Sequence, residues 1–472
     1  MYRLRSVKST PPTLLRVEFE PLSPRSGWVA RGQRTGLVGR GWAPLALRLD
    51  EAPKLYIAIA ATSYLLSFVA ASLLGLIGLG ASVRVLLYEA LGLASVWAGA
   101  RLVRPRRVAV RRWAGASRSF RVLGILACCF VAIVYFWRAS EGVFYTHGAA
   151  LTVSPDWKGI LRDVYGSSLA LPAVIWLGLA NAARTIRAFK RLDRLLVVGL
   201  VGLLFLSSQA RPAALAVVLY ALAASWPRPL LVTWRRAILL GVTGGLIFAG
   251  VFLVRVGWWM ISPGAATPDS VIRYALPATW QQLDQAWSPA LSNLLSRAAQ
   301  LTLFTETISD VIGDGAGHAW GRCLLYSVRM SVPRALWPSK PGPVEPLDVY
   351  VERYYGLPVE DTAVTPVSLG YIEAGVFGVI VTHMLLGSIF AWAARQFVSR
   401  PSTIWPVFYA FLLANILDVE GELFFQVAAA VKATGVTILV AWLIRVMMSS
   451  IRGALMFRAG SAFRAPARAG RV

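Results

Sequence analysis

Residues Leu55–Gly80 read LYIAIAATSYLLSFVAASLLGLIGLG, an apolar run without a single Asp, Glu, Lys or Arg. A helix needs about 20 such residues to cross roughly 30 Å of hydrocarbon, so this run is long enough to span. Outward from it, similar runs recur near Val83–Val103, Phe120–Trp137, Tyr165–Ala183, Leu195–Ser207 and Pro212–Trp226. Four more follow near Ala237–Val254, Pro366–Ala394, Thr403–Leu417 and Phe424–Met448. The whole chain of 472 residues is 57% hydrophobic and 15% charged, with a mean hydropathy of +0.59. Soluble domains run at about 45–50% and about 25%. The sequence therefore predicts an all-α polytopic membrane protein with about ten transmembrane helices. Pro212 and Pro366 fall where a first helical turn tolerates a missing N–H, and Pro227 and Pro229 stop the sixth span.

A net charge of +25 raises the question of nucleic acid, and its distribution answers it. With the N-terminus in the cytoplasm and sides alternating, the cytoplasmic segments hold 34 of the 48 Lys and Arg but only 5 of the 23 Asp and Glu. Lys and Arg in short loops mark the cytoplasmic side, and every short loop here agrees, which puts both termini inside. The charge orients the chain and attracts anionic headgroups of membrane lipids; no nucleic-acid partner is expected. The first 50 residues lack the short apolar core and cleavage site of a secretory signal. Cys128, Cys129 and Cys323 are the only cysteines, too few and too close for a disulfide framework or a zinc site.

The chain thus divides into a basic tail (1–54), seven spans (55–254), one large external loop (255–365), three spans (366–448) and a second basic tail (449–472). A loop of this length is functional or disordered. It carries six of the 18 tryptophans, Trp258, Trp259, Trp280, Trp287, Trp320 and Trp337, which argues for order. Leu294, Ala298, Leu301, Thr305, Ile308 and Ile312 recur at helical spacing, predicting an amphipathic helix on the membrane or the bundle.

On the external side Arg211, Arg255, Arg273, Arg297, Arg322, Arg329, Arg334, Lys340 and Arg353 offer cationic forks and a point charge suited to phosphate. Snorkelling to headgroups is the plainer use of such residues. Arg211 and Arg255 stand out because each sits at the outer end of a span. The sixth and eighth spans start outside, so the helix N-termini at Ser208–Pro212 and Thr365–Pro366 are ready anion sites, or ordinary caps. Glu89, Glu373 and Lys432 fall within spans, where ionisable groups are paired or functional, and a Glu373–Lys432 pair is expected. His318 is a candidate general base. Cys323 and His318 lie in one loop without an orienting third group, which argues against a cysteine protease. No metal-ligand spacing such as HExxH is present, so neither a metal nor a cofactor is expected.

The most distinctive stretch is Val332-Pro333-Arg334-Ala335-Leu336-Trp337-Pro338-Ser339-Lys340-Pro341. Its prolines hold the chain extended, fixing Arg334, Trp337 and Lys340 in direction. Gly370-Tyr371-Ile372-Glu373-Ala374-Gly375-Val376-Phe377-Gly378 follows, with glycines spaced for close helix approach. Together, Gly317–Trp392 resembles the O-antigen polymerase and oligosaccharide repeat-unit polymerase family, as does Ala210-Arg211 entering a mid-chain helix. Gln-Ala-Arg replaces the Ser-Arg usual there.

That resemblance implies an inverting, metal-independent transfer from a polyprenyl pyrophosphate to the sugar of another lipid-linked unit. The substrate would be undecaprenyl-pyrophosphate-linked oligosaccharide, with a chain-length regulator and a flippase as partner proteins. Arg211, Arg255, Arg329 and Arg334 would stabilise the departing pyrophosphate. Asp361, Glu373 or His318 would take the acceptor proton. Trp337, Lys340, Tyr371, Thr365 and Ser208 would bind substrate. An O-antigen ligase performs the same chemistry on another acceptor, and a transporter or flippase is a further alternative, although no repeat relates the two halves.

Overall fold

In a computed structural model, the protein is described over residues 45–103, 117–140, 169–182, 187–206, 210–233, 299–332, 347–357, 364–400, 404–417 and 426–440, with isolated positions in 239–250 and at 295, 337 and 442–446. The described residues are 86% helical, compatible with an all-α membrane protein. Helices α1 (Ala52–Leu73), α2 (Leu79–Leu102), α3 (Ser117–Ser140), α4 (Ala170–Ala182), α5 (Arg187–Leu206) and α6 (Ala210–Ser225) come first. Helix α7 (299–311), α8 (Arg322–Ser331) and α9 (Leu347–Tyr355) belong to the large loop. Then come α10 (Pro366–Ser399), α11 (Trp405–Ile416) and α12 (Gln426–Val440). Among the described residues, four helices are long and apolar enough to cross a membrane: α1, α2, the Ser119–Trp137 part of α3, and α10.

Boundaries depart from the apolar runs for local reasons. The first run continues to Gly80, yet α1 stops at Leu73, because Gly75 takes φ +62 and closes the helix with a left-handed residue. Apolar side chains then continue straight through the turn, which hides it from a hydropathy reading. Helix α5 begins at Arg187, well before the apolar run at Leu195, and includes Arg191, Asp193 and Arg194 in its first turns. Of the seventh predicted span, Ala237–Val254, only isolated helical positions are described.

Helix α4 is buried from Ala170 through Asn181, as a helix apolar on all sides should be at the centre of a bundle. Trp176 meets Phe411 of α11 edge to face at 5.9 Å. Helices α2 and α10 cross most intimately. A side chain on Gly99 would strike the Met384 carbonyl and one on Gly387 the Val96 carbonyl, while the Ser388 hydroxyl donates to the Gly99 carbonyl at 3.0 Å. Small residues that let backbones touch are how helices associate where no hydrophobic drive exists between them.

Two polar joints bind distant segments. Strand β1 (Leu45–Leu47), ahead of α1, pairs antiparallel with β2 (Leu230–Val232), behind α6. Arg121 on α3 forms a buried two-pronged bond to Asp193 on α5, at 3.0 and 2.5 Å.

Helix α10, expected as one continuous span, is broken. Ala374 and Gly375 leave helical geometry, Gly375 at φ +60, a conformation that glycine alone adopts freely. In a straight helix Gly370 and Gly378 would stand about 12 Å apart. Instead a Cβ on Gly378 would lie 2.0 Å from the Gly370 carbonyl oxygen. The glycine spacing does permit close approach, but between the two halves of one helix. The second half, 376–399, is about 36 Å long and suffices to span.

Candidate functional site

The break in α10 frees backbone groups, and the loop supplies their partners. Residues His318-Ala319-Trp320-Gly321 run alongside Tyr371–Gly375. Ala319 N–H donates to the Ile372 carbonyl at 2.8 Å and Trp320 N–H to the Glu373 carbonyl at 3.0 Å. Each would otherwise be an orphaned polar group, costly away from water. Beneath this junction Phe304 and Ile308 (α7), Cys323 (α8), Val351 and Tyr355 (α9), and Leu369 and Ile372 (α10) form a small core of their own. The described helices of the loop are therefore packed on the bundle. Leu301, Thr305 and Ile308 of the expected amphipathic helix face inward, and the Thr302 hydroxyl donates to Ser67 of α1 at 2.8 Å.

Glu373 binds the loop with its side chain as well. Its carboxylate accepts from Gly321 N–H and, at 2.6 Å, from Leu324 N–H, capping the start of α8 from another element. A carboxylate at a helix N-terminus meets both free amides and the positive dipole end. Glu373→Ala should loosen α8 from α10, since bonds to charged groups are worth about 1.5–3 kcal/mol each. Limited proteolysis of the folded protein should then cleave between α7 and α9 faster than in the parent; unchanged cleavage would contradict the capping role.

His318 sits half-buried at the break, its Nδ1 3.1 Å from the Tyr371 carbonyl. A carbonyl only accepts, so Nδ1 carries a proton, and in the neutral tautomer the lone pair lies on Nε2. Tyr371 stacks on Tyr88 of α2 at 5.1 Å and accepts at its hydroxyl from Ser309 at 3.3 Å. Trp320 packs edge-on to His318 at 5.8 Å and is 75% exposed, with φ +49. A left-handed, exposed tryptophan is conformationally expensive. It is held by its own N–H bond to Glu373.

Three arginines lie on the helices that meet here. Arg322 donates to the Tyr354 hydroxyl at 2.8 Å, and Arg329 lies over the Trp337 ring at 5.7 Å. Arg84, at the start of α2, reaches Glu306 at 2.6 Å and Asp310 at 3.5 Å. Tyr326 stacks on Tyr350 at 4.1 Å. Burial pushes the Tyr350 and Tyr355 hydroxyls above their ordinary range, so both remain proton donors.

Of the residues expected from sequence, His318, Glu373 and Tyr371 come together here, and Arg329 joins Trp337 nearby. Thr365 is buried as the N-cap of α10, its hydroxyl accepting from Ser368 N–H at 3.0 Å in a reciprocal capping box. Ser208, Arg255, Arg334, Lys340 and Asp361 lie outside the described residues, as does the side chain of Arg211. Trp320 and Arg84 escaped the sequence reading as site residues. The signal for Trp320 was the glycine at each end of Gly317–Gly321; Arg84 offered none, because its partners lie 222 residues away or more. No family model matches the chain, and no curated protein or solved structure matches it.

Proposed function

We propose that the chain is a multi-pass membrane glycosyltransferase that polymerises polyprenyl-pyrophosphate-linked oligosaccharide repeat units into surface polysaccharide. It would work at the outer face of the bacterial cytoplasmic membrane. The observation that carries this reading is the seating of His318–Gly321 on the broken α10. This sets a lone-pair nitrogen beside an exposed indole, with arginines on the adjoining helix.

In the proposed step, His318 Nε2 takes the proton of an acceptor sugar hydroxyl. The oxygen attacks the anomeric carbon of the donor glycan from the face opposite its phosphate. The carbon–oxygen bond to phosphate breaks, and its electron pair leaves with the polyprenyl pyrophosphate. Arg211, Arg255, Arg329 and Arg334 would stabilise that leaving charge, with Lys340 and Trp337 beside them. Glu373 is not the base in this scheme, since its carboxylate already accepts from two amides. A chain-length regulator and a flippase remain the protein partners this chemistry calls for.

Contacts between distant segments support the alternation of sides along the chain. β1 and β2 are separated by six described helices, and Arg121 and Asp193 by two crossings. Arg84 and Glu306 are separated by six crossings if Ala237–Val254 spans. An even number separates every pair, as pairing on one side requires.

His318→Ala in a strain lacking the native copy should reduce turnover by about 10²–10⁴, the usual contribution of a general base. Arg211→Ala or Arg255→Ala should reduce it by about 10²–10³. Glycan ladders, read with membrane levels of the protein equalised, should collapse to single repeat units. Normal ladders in all three strains would overturn the assignment, and loss of even the single attached unit would favour a ligase.

A further inference from the structure

Helix α8 has two unlike faces. Cys323 and Ser327 are fully buried against the loop core, whereas Leu325 is 58% and Val328 48% exposed on the opposite side. Arg322 and Arg329 flank that apolar side one turn away, and the helix carries no acidic residue. Its N-terminus is tied to Glu373 on α10, and Trp320 stands exposed just ahead of it. Directly after the break, Val376 and Phe377 on the spanning half of α10 are also exposed, Phe377 at 69%.

From this we infer that α8 lies in the outer interface of the bilayer, its Leu325 and Val328 face sunk among the upper acyl chains, Trp320 at headgroup level just ahead of it and its two arginines on lipid phosphates. The partner is the lipid surface itself. A soluble face with tryptophan, leucine and valine bare would expose apolar area without return. At a membrane the same face is buried, tryptophan prefers the headgroup level, and guanidinium forks match phosphate. The tether to α10 fixes the height: a helix bonded to residue 373 cannot leave the region where the span beginning at residue 376 meets the headgroups. The inference rests on the membrane placement but not on the polymerase chemistry.

Its test needs no turnover. An environment-sensitive fluorophore is attached through Val328→Cys, or Leu325→Cys, in full-length protein carrying Cys129→Ser, because Cys128 and Cys323 are buried. A control carries the label through Asp314→Cys, at an exposed position of the turn after α7. The protein is reconstituted in vesicles of phosphatidylcholine and phosphatidylglycerol, with and without brominated acyl chains. At 325 and 328, the expected result is loss of fluorescence to brominated lipid and protection from aqueous iodide, with the reverse at 314. Adding Arg322→Ala with Arg329→Ala should shift the 328 label toward iodide. Iodide quenching at 325 and 328 equal to that at 314, without bromine quenching, would overturn the inference and leave the glycosyltransferase proposal standing.

Discussion

Gly99→Ala and Gly387→Ala should each sharply lower the amount of folded protein in the membrane, whereas Gly199→Ala and Gly202→Ala should leave it unchanged. A methyl on Gly99 would sit 2.0 Å from the Met384 carbonyl oxygen, and one on Gly387 2.0 Å from that of Val96. Real contacts need more than 3 Å, and the obstacle in both cases is backbone, which cannot swing aside as a side chain would. Overpacking costs about 1–3 kcal/mol where side chains can yield, and more where they cannot. Parting α2 from α10 would also strain the Ser388 bond to Gly99. Among the described residues nothing lies within 4 Å of a Cβ built on Gly199 or Gly202, so alanine there meets open space. Thermal or detergent unfolding followed by fluorescence size-exclusion reads the difference. Equal stability for Gly387→Ala and Gly199→Ala would contradict the packing.

Asp193→Ala should be nearly as damaging. Arg121 and Asp193 are both buried, and removing the carboxylate leaves a guanidinium without its charge partner. Breaking such a pair costs about 3–5 kcal/mol, while replacing both members by apolar residues of similar size is often neutral. The double variant Arg121→Met, Asp193→Leu should therefore recover most of the stability that Asp193→Ala loses. Failure of the double variant to exceed the single one would show that the pair does more than satisfy itself.

Helical membrane architecture was legible because apolar runs of spanning length are a direct consequence of hydrocarbon thickness. The turn at Leu74–Gly78 was not, since in lipid its leucines need no different chemistry from those of α1. The start of α5 was missed because a hydropathy window stops at charges, and Asp193 finds its partner 72 residues away. The break in α10 had a signal in Gly370, Gly375 and Gly378, but spacing alone does not say whether glycines serve a neighbouring helix or a fold of their own. Glu373 was singled out as an ionisable group within an apolar run, and it lies at the break, just ahead of the half that is long enough to span. What it satisfies, the start of α8, depends on a loop docking that no periodicity records. His318 was legible as a candidate base, but only the Tyr371 carbonyl reveals which nitrogen is free.

The central claim is that this chain joins lipid-linked glycans to one another, and purified protein in proteoliposomes tests it most directly. The reaction contains one polyprenyl-pyrophosphate-linked oligosaccharide and no metal ion or nucleotide sugar, and products are read by mass spectrometry. The account predicts lipid-linked products growing by whole repeat units, each new glycosidic bond matched by one released polyprenyl pyrophosphate, and both formed about 10²–10⁴-fold more slowly with His318→Ala. Substrate recovered unchanged by the wild-type protein, or moved across the bilayer with every bond intact, would contradict it.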